Sequence, residues 1–442
     1  MDSPARVAEL EQDSPQTPPW TFTHRVAFRF CLVYFGSFCL STQILGDIFP
    51  IPKVDTPDLG TLWPTRQIVF WSAAHIFHLA DPLVYKDSGS GDKTFDWILV
   101  FCILIFAIVT TIIWSALDRR RQNYATLDKW FRLFVRFALA SQMINYGLYK
   151  VIPVQMPFPS LRIFVEPFGN FSPMNVLWSS IGASPVYEVF AGCAELLGGI
   201  LLVLPRTAML GAIICLADMT QVFMLNMTYD VPVKLFSFHL LLMALFLLVP
   251  EFSRLADFFL SDRTVGRSTQ LPLCRTRRAH SVALAAQIVL GIWIVGVHTF
   301  SSWSQWQSSA TGRHESTLYG IWNVNQLSID GQLRSPLLID YDRWRRVIFY
   351  RQTRMAFQRM DDSFEIFSAA INVSDKTLAL TKDSDQSWKA NFRFQRVVQD
   401  QLALDGIMDG HTIRMQLQRI DLNKFLILNR GFHWIQEYPF NR

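Results

Sequence analysis

Between Pro185 and Pro250 an apolar stretch of the chain carries Glu188, Glu195, Asp218, Gln221, Asn226, Lys234 and His239. Glu188 and Glu195 are seven residues apart, which sets both on one face of a helix. Carboxylates so placed could relay protons or hold the polar head of a ligand between helices. Asp218 and Gln221 stand in the next run, and Lys234 and His239 open the one after it. A carboxylate near a lysine and a histidine could bind protons, an anion or a quinone headgroup. The competing reading is a closed network of ion pairs that fixes helix packing, with Glu188 solvated near the outer surface. No pair here has the spacing of a metal box, so no metal is expected. His75 and His78, one turn apart, have a spacing that two metal or haem ligands could share, but it fits an interfacial helix beside Phe70, Trp71 and Phe77 better.

The elements that must position these groups are membrane helices. Val186–Leu204, Ala208–Asn226 and Val233–Val249 are each about 17–20 residues, enough to cross a hydrocarbon core of roughly 30 Å. Pro205-Arg206-Thr207 and Tyr229-Asp230-Val231-Pro232 break them. Ionisable groups are expensive in lipid, so they should face protein, water or a ligand. Composition agrees: 50% of the 442 residues are hydrophobic and only 17% charged, with 14 Trp and 36 Phe suited to interfacial belts. The net charge of +5 is placed by topology and gives no reason to invoke nucleic acid. The six cysteines show no CxxC spacing, which argues against a dithiol redox centre.

Taken in order, residues 1–19 read as a disordered cytoplasmic tail. Residues 20–127 hold two spans, Arg25–Phe49 and Thr94–Leu117, with an amphipathic helix near Thr65–Leu79 between them. Gly89-Ser90-Gly91-Asp92 resembles a phosphate loop only superficially and reads as a turn before a helix. The core, 128–260, opens with a polar span, Asp128–Val151, which carries Arg132, Arg136, Gln142, Asn145, Tyr146, Tyr149 and Lys150. Val151–Ser184 should be an outside lid or collar rich in Pro, Gly and aromatics. Residues 261–303 give an arginine-rich loop and a last span, about His280–Phe300. Arginines at 119–121 and at 254, 263, 267, 275, 277 and 278 put those ends in the cytoplasm. Seven spans then leave residues 304–442 outside. That segment changes to short alternating runs punctuated by Asp330-Gly331, Asp361-Asp362, Asp405-Gly406 and Asp409-Gly410. The pattern predicts eight or nine antiparallel strands in a barrel or sandwich.

Two resemblances sharpen this. Arg136, Gly147 and Lys150, the run Gly192-x-x-Glu195-x-x-Gly198-Gly199, Pro205-Arg206-Thr207 and Asn226 resemble the DoxX family of small four-helix membrane proteins. The likeness covers about Asp128–Phe259 and implies a four-helix core; members have been linked to quinone-coupled oxidation and to thiol or oxidative-stress complexes. The extra helices, the fused barrel and the absence of a periplasmic cysteine pair depart from that family. Gly320-Ile321-Trp322 resembles the GxW signature of lipocalin-like barrels, which implies that Trp322 packs at a closed end under a late arginine, here Arg430.

The expected fold is an α-helical polytopic membrane domain of about seven transmembrane helices with a DoxX-like four-helix core, plus a C-terminal all-β antiparallel barrel of lipocalin type. The expected protein is a multi-pass bacterial inner-membrane protein with its N-terminus cytoplasmic and its barrel periplasmic. Its core would bind a small hydrophobic molecule, a quinone being the candidate cofactor. Alternatives are a membrane oxidoreductase subunit or a non-catalytic envelope protein that binds a protein partner. Glu195, Asp218 and His239 should converge near mid-membrane, with Asn145 and Tyr146 lining the outer end and Glu188, Lys234 and Lys150 as further candidates.

Overall fold

The computed structural model describes residues 19–442 except 55, 262, 265, 267–272, 275, 312–315, 383–384, 386 and 442. Nearly all of the tail expected over 1–19, and Arg267 and Arg275 of the arginine-rich loop, lie outside the described residues. The chain divides into two compact units, Met1–Ile152 with Val189–Ser302, and Pro153–Glu188 with Trp303–Arg442.

The first unit is helical. In chain order its elements are α1 (Phe22–Ser41), α2 (Ile44–Ile48), α3 (Thr65–His75), α4 (Thr94–Leu117) and α5 (Ala125–Val151). The chain then leaves this unit through α6 (Pro173–Gly182). It returns along α7 (Pro185–Val203), followed by α8 (Ala208–Thr228), α9 (Lys234–Leu248), α10 (Phe252–Leu260) and α11 (Arg277–Thr311). Local chemistry sets the boundaries. The Thr21 hydroxyl accepts the His24 N–H at 3.2 Å and starts α1, and the Asp96 carboxylate accepts the Lys93 N–H at 3.0 Å at the head of α4. Among the described residues, five helical stretches are long and apolar enough to cross a membrane: Thr94–Leu117, Pro185–Val203, Ala208–Thr228, Lys234–Leu260 and Arg277–Ser308. The expected count of seven spans needs α1 and α5 as well. Asp128, Lys129, Arg132, Arg136 and Lys150 make α5 far more polar than those five. The first span also differs from Arg25–Phe49: α1 stops at Ser41, Thr42 turns extended, and α2 follows as a separate short helix.

The core of this unit gathers Phe35 and Phe38 of α1, Val135, Ala138, Leu139 and Met143 of α5, Cys215 and Met219 of α8, and Met243 and Ala244 of α9. Glycines bring three helices into backbone contact. A Cβ added at Gly147 of α5 would stand 2.7 Å from Leu196 N, and one at Gly192 of α7 would stand 2.7 Å from Gly147 O. On the other side of α7, a Cβ at Gly198 would meet Cys215 Sγ at 2.8 Å, and one at Gly211 of α8 would meet Leu202 N at 2.8 Å. Small residues of this kind let helices approach where a larger side chain would hold them apart.

The second unit is built on an antiparallel sheet: β1 (Gly320–Ile329), β2 (Gln332–Leu333), β3 (Trp344–Arg351), β4 (Arg354–Arg359), β5 (Phe364–Asn372), β6 (Thr377–Lys382), β7 (Lys389–Val398), β8 (Gln401–Met408) and β9 (His411–Arg419). Each strand from β3 to β9 pairs with the next, and β1 pairs with both β3 and β9, so eight strands close into a barrel with β2 as a short hairpin arm. Alternation along the strands sends Trp322, Trp344, Phe349, Phe357, Phe367, Phe392 and Phe394 inward, where they form one core with leucines and methionines. An eight-stranded barrel is just wide enough for side chains to fill it. A bulge between Val324 and Gln326 bends β1. Buried Arg343 holds it by donating to Val324 O at 2.8 Å while its other arm donates to Trp344 O at 2.6 Å.

The segment expected as a collar belongs with the barrel. Leu161 packs with Ile321 and Ile348 on the barrel's outer face, flanked by Phe164, Val165 and Phe425. The Gln358 amide donates to Val165 O at 3.0 Å. Trp322 is fully buried and its indole donates to Leu318 O at 2.9 Å. The arginine beside it is Arg419, its register partner on β9, whose Nε would stand 3.0 Å from a Cβ at Gly320. Gly320 tolerates this approach with φ +144°, where any side chain would be strained. Arg430 falls beyond the last strand and covers Phe440, 3.9 Å from the ring centre, while donating to Gln436. The expected Trp322–Arg430 stack is therefore replaced by Arg419, because β9 ends eleven residues before Arg430.

Two predictions follow from the barrel. Trp322→Ala should destabilise it by about 3–5 kcal/mol, read as earlier proteolytic cleavage within β1–β9 of the full chain on heating. At the barrel's seam, the Asp330 carboxylate accepts the Thr412 N–H at 2.8 Å and meets His411 Nδ1 at 2.7 Å. Hydrogen bonding to His411 and Thr412 lowers the Asp330 pKa, and the same carboxylate raises that of His411. The histidine's contribution to stability is whole below its unfolded value of about 6.5 and is lost as pH rises through its raised folded value. The aspartate's is whole above about 3.9 and is lost as pH falls. The His411 imidazole should thus titrate above about 6.5 by NMR, and Asp330→Asn should bring it back down.

Candidate functional site

The glycine contacts decide which polar groups meet. With Gly147 of α5 against Gly192 and Leu196 of α7, Lys150 lies one turn along from the contact and reaches Glu195. Its ammonium donates to both carboxylate oxygens, at 2.6 and 2.7 Å, and the two residues are buried at 8% and 1% exposure. The antiparallel register that sets Gly198 against Cys215 and Leu202 against Gly211, carried one turn further, brings Glu195 level with Asp218 of α8. Glu195 and Lys150 are the charges that act on Asp218. Asp218 Oδ2 is buried and has no hydrogen-bond partner among the described residues.

His239 is elsewhere, which corrects the expected convergence with Glu195 and Asp218. Its ring stacks on Phe38 with centroids 3.9 Å apart. Its Nδ1 lies 2.7 Å from Leu235 O and its Nε2 2.8 Å from the Tyr34 hydroxyl. Both nitrogens are occupied, and the ring stacks on Tyr34 and Phe38 of α1. Asn226 also serves packing, donating to the Ser237 hydroxyl at 3.0 Å across α8 and α9. Lys234 sits at the start of α9, where its ammonium is 2.9 Å from Asp230 and 3.7 Å from Asp92. The turn Gly89–Asp92 caps that helix: the Asp92 carboxylate accepts the N–H groups of Lys234 and Leu235, both at 2.9 Å. Glu188 is buried, and its carboxylate accepts the Met156 N–H at 2.9 Å. His75 stacks on Trp71, and its Nδ1 lies 3.0 Å from the Trp71 carbonyl oxygen.

Asn145 and Tyr146 turn toward a second polar group that sequence reasoning missed. Asp47 of α2 accepts from the Gln142 amide at 2.9 Å and from Asn145 at 3.5 Å. Gln43 donates to Gln142 Oε1 at 3.0 Å and to the Tyr146 hydroxyl at 3.2 Å, and His298 Nε2 of α11 lies 3.2 Å from Asp47 O. The Tyr146 hydroxyl thus belongs to the Asp47 group, and Tyr146 also feels the charge of Glu195. The signal was present: Asp47 interrupts the apolar run Ile44–Phe49 as Asp218 interrupts its own.

Fold and site together define a class: a polytopic helical protein of membrane type with a buried charged cluster in its helices and a fused antiparallel barrel. Over 129 residues, 29% of its length, the chain is 36% identical to the uncharacterized protein YwoB of Bacillus subtilis (strain 168), 79% of which is covered. The chain belongs to the family of that protein. No family model matches it, and no solved structure does.

Removing one partner of a buried ion pair leaves the other uncompensated, at about 3–5 kcal/mol. Glu195→Gln should therefore lower the melting temperature of the detergent-purified protein sharply. The double variant Lys150→Met with Glu195→Leu should recover most of the loss; a double variant as unstable as the single one would mean that the pair itself supplies the stability.

Proposed function

We propose that the helical unit binds a small hydrophobic molecule whose polar head, of quinone type, is received by Lys150, Glu195 and Asp218. The observation that carries this reading is Asp218 Oδ2, a buried oxygen left without a partner beside a closed ion pair. Packing alone would be served by the Lys150–Glu195 pair, whereas a third, unsatisfied carboxylate in an apolar helix is costly unless something else bonds to it. A protonated Asp218 would donate to a carbonyl oxygen of the ligand, and an ionised one would accept from a hydroxyl. The DoxX-like reading of the core is supported by the role of its glycines, since Gly147, Gly192 and Gly198 are the residues at which the helices meet.

Placement in a bacterial inner membrane, with the N-terminus cytoplasmic and the barrel periplasmic, is supported by the arginines that follow α4 and precede α11. A second reading, a non-catalytic envelope protein that binds a partner through its barrel, is favoured by Leu338 and Ile339, which are 73% and 91% exposed on the β2–β3 loop.

Asp218→Asn separates ligand binding from packing. Wild-type protein, extracted with organic solvent after purification, should yield a quinone or a comparable apolar molecule. Asp218→Asn should melt within a few degrees of wild type yet retain at least about tenfold less of that molecule, the equivalent of one lost hydrogen bond to a charged group. Wild type that carries no such molecule, or a variant that retains as much as wild type, would refute the reading.

A further inference from the structure

At the end of the helical unit where α1 begins and α4 stops, a cavity of about 420 Å³ is lined by Arg25, Arg29 and Arg119 together with Phe22, Ser115 and Asp118. The three guanidiniums are held by neutral groups. Arg29, 2% exposed, donates to the Ser115 hydroxyl at 2.8 Å, the Tyr124 hydroxyl at 2.6 Å and Asp118 O at 2.9 Å. Arg25 donates to Arg121 O, and its Nε is buried without a hydrogen-bond partner. Arg119 donates to Ala116 O at 3.1 Å. Among the described residues that line the cavity the one carboxylate is Asp118, which accepts the Tyr124 hydroxyl at 2.6 Å. Among the described lining residues, three cations against one anion make the lining positive.

Phe22, 64% exposed, joins this cavity to a groove of about 460 Å³ that runs between α1 and α4. Val26, Ala27 and Phe30 line one side, and Ile108 and Ile112 the other. Ile108 and Ile112 are exposed on a helix that is long and apolar enough to span a membrane.

From this juxtaposition we propose that the Arg25–Arg29–Arg119 cavity and the α1–α4 groove together form a binding site for an anionic phospholipid. The phosphate lies among the guanidiniums, which match its geometry through paired N–H donors, and one acyl chain lies along the groove. A free anion has no use for the apolar groove, and a neutral lipid has none for the arginines. A zwitterionic headgroup would bring an ammonium toward three guanidiniums. The site is separate from the Lys150–Glu195–Asp218 cluster and uses none of its residues.

The test is native mass spectrometry of the full-length protein released from vesicles of phosphatidylglycerol and phosphatidylcholine mixed in equal parts. Wild type should retain phosphatidylglycerol preferentially. Arg25→Gln with Arg119→Gln should lower that retention about thirtyfold, since each basic side chain contributes about one fivefold factor near an anionic lipid. Ile112→Trp, which fills the groove at an exposed position, should lower it as well, so the proposal stays testable if the arginine variants fail to fold. Millimolar inorganic phosphate should not displace the lipid. Equal retention of the two lipids would overturn the proposal. So would full retention in the folded double variant or in Ile112→Trp, or displacement by phosphate alone, which would mark a free-anion site.

Discussion

Where α5, α7 and α8 cross, the backbones of neighbouring helices come so close that a single methyl group at Gly147 or Gly192 would press on main-chain atoms. Much else in the helical unit depends on that approach. Lys150 reaches Glu195 with both oxygens in hydrogen-bond range because the two helices are not held apart by side chains. The same constraint operates between α7 and α8, so the ion pair and Asp218 lie in one layer. Burying an ammonium or a carboxylate alone is costly, and the close packing keeps Lys150 and Glu195 next to each other, whereas Asp218 is left without a partner among the described residues. The glycines and the Lys150–Glu195 pair thus work as one device: close approach of the helices buries the two charges, and their contact makes that burial tolerable.

The barrel solves a different problem with different means. Its strands are joined in sequence, and closure depends on the long-range pairing of β1 with β9. That seam is secured at one end by Asp330 with His411 and Thr412, and toward the other by Trp322 and Arg419. Between them the bulge in β1 would leave carbonyl groups exposed, and Arg343 takes them up from within the wall. The aromatic filling supplies stability and removes the space that a ligand-carrying barrel of this size would need.

Much of this could be read from the residues. Period-two alternation after Ser316 predicted the strands, since each faces the filled interior on one side only. The apolar runs from Pro185 onward predicted α7, α8 and α9, because proline breaks them. Pairings across sequence distance were harder. Lys150 and Glu195 were both noticed, yet nothing local to either says that they meet; that is set by Gly147 and Gly192, in helices 45 residues apart along the pair. His239 looked like a partner for Asp218 by depth, but rotation about the helix axis turns it to Phe38 and Tyr34. Asp47 was absorbed into a span drawn too long, which the break at Thr42 cuts short. Arg430 was chosen by its place late in the chain, whereas strand register selects Arg419.

The collar has a consequence for how the barrel is attached. Because Pro153–Glu188 belongs to the same compact unit as Trp303–Arg442, that unit is discontinuous in sequence and shares three chain connections with the helices rather than one. A single cut upstream of β1 would not release it: Leu161, Phe164 and the Val165 carbonyl would still grip Ile321, Ile348 and Gln358. Conversely, a barrel translated without its collar would bare an apolar strip on its outer wall. The segment that covers the barrel's outer wall is therefore synthesised before the strands it covers.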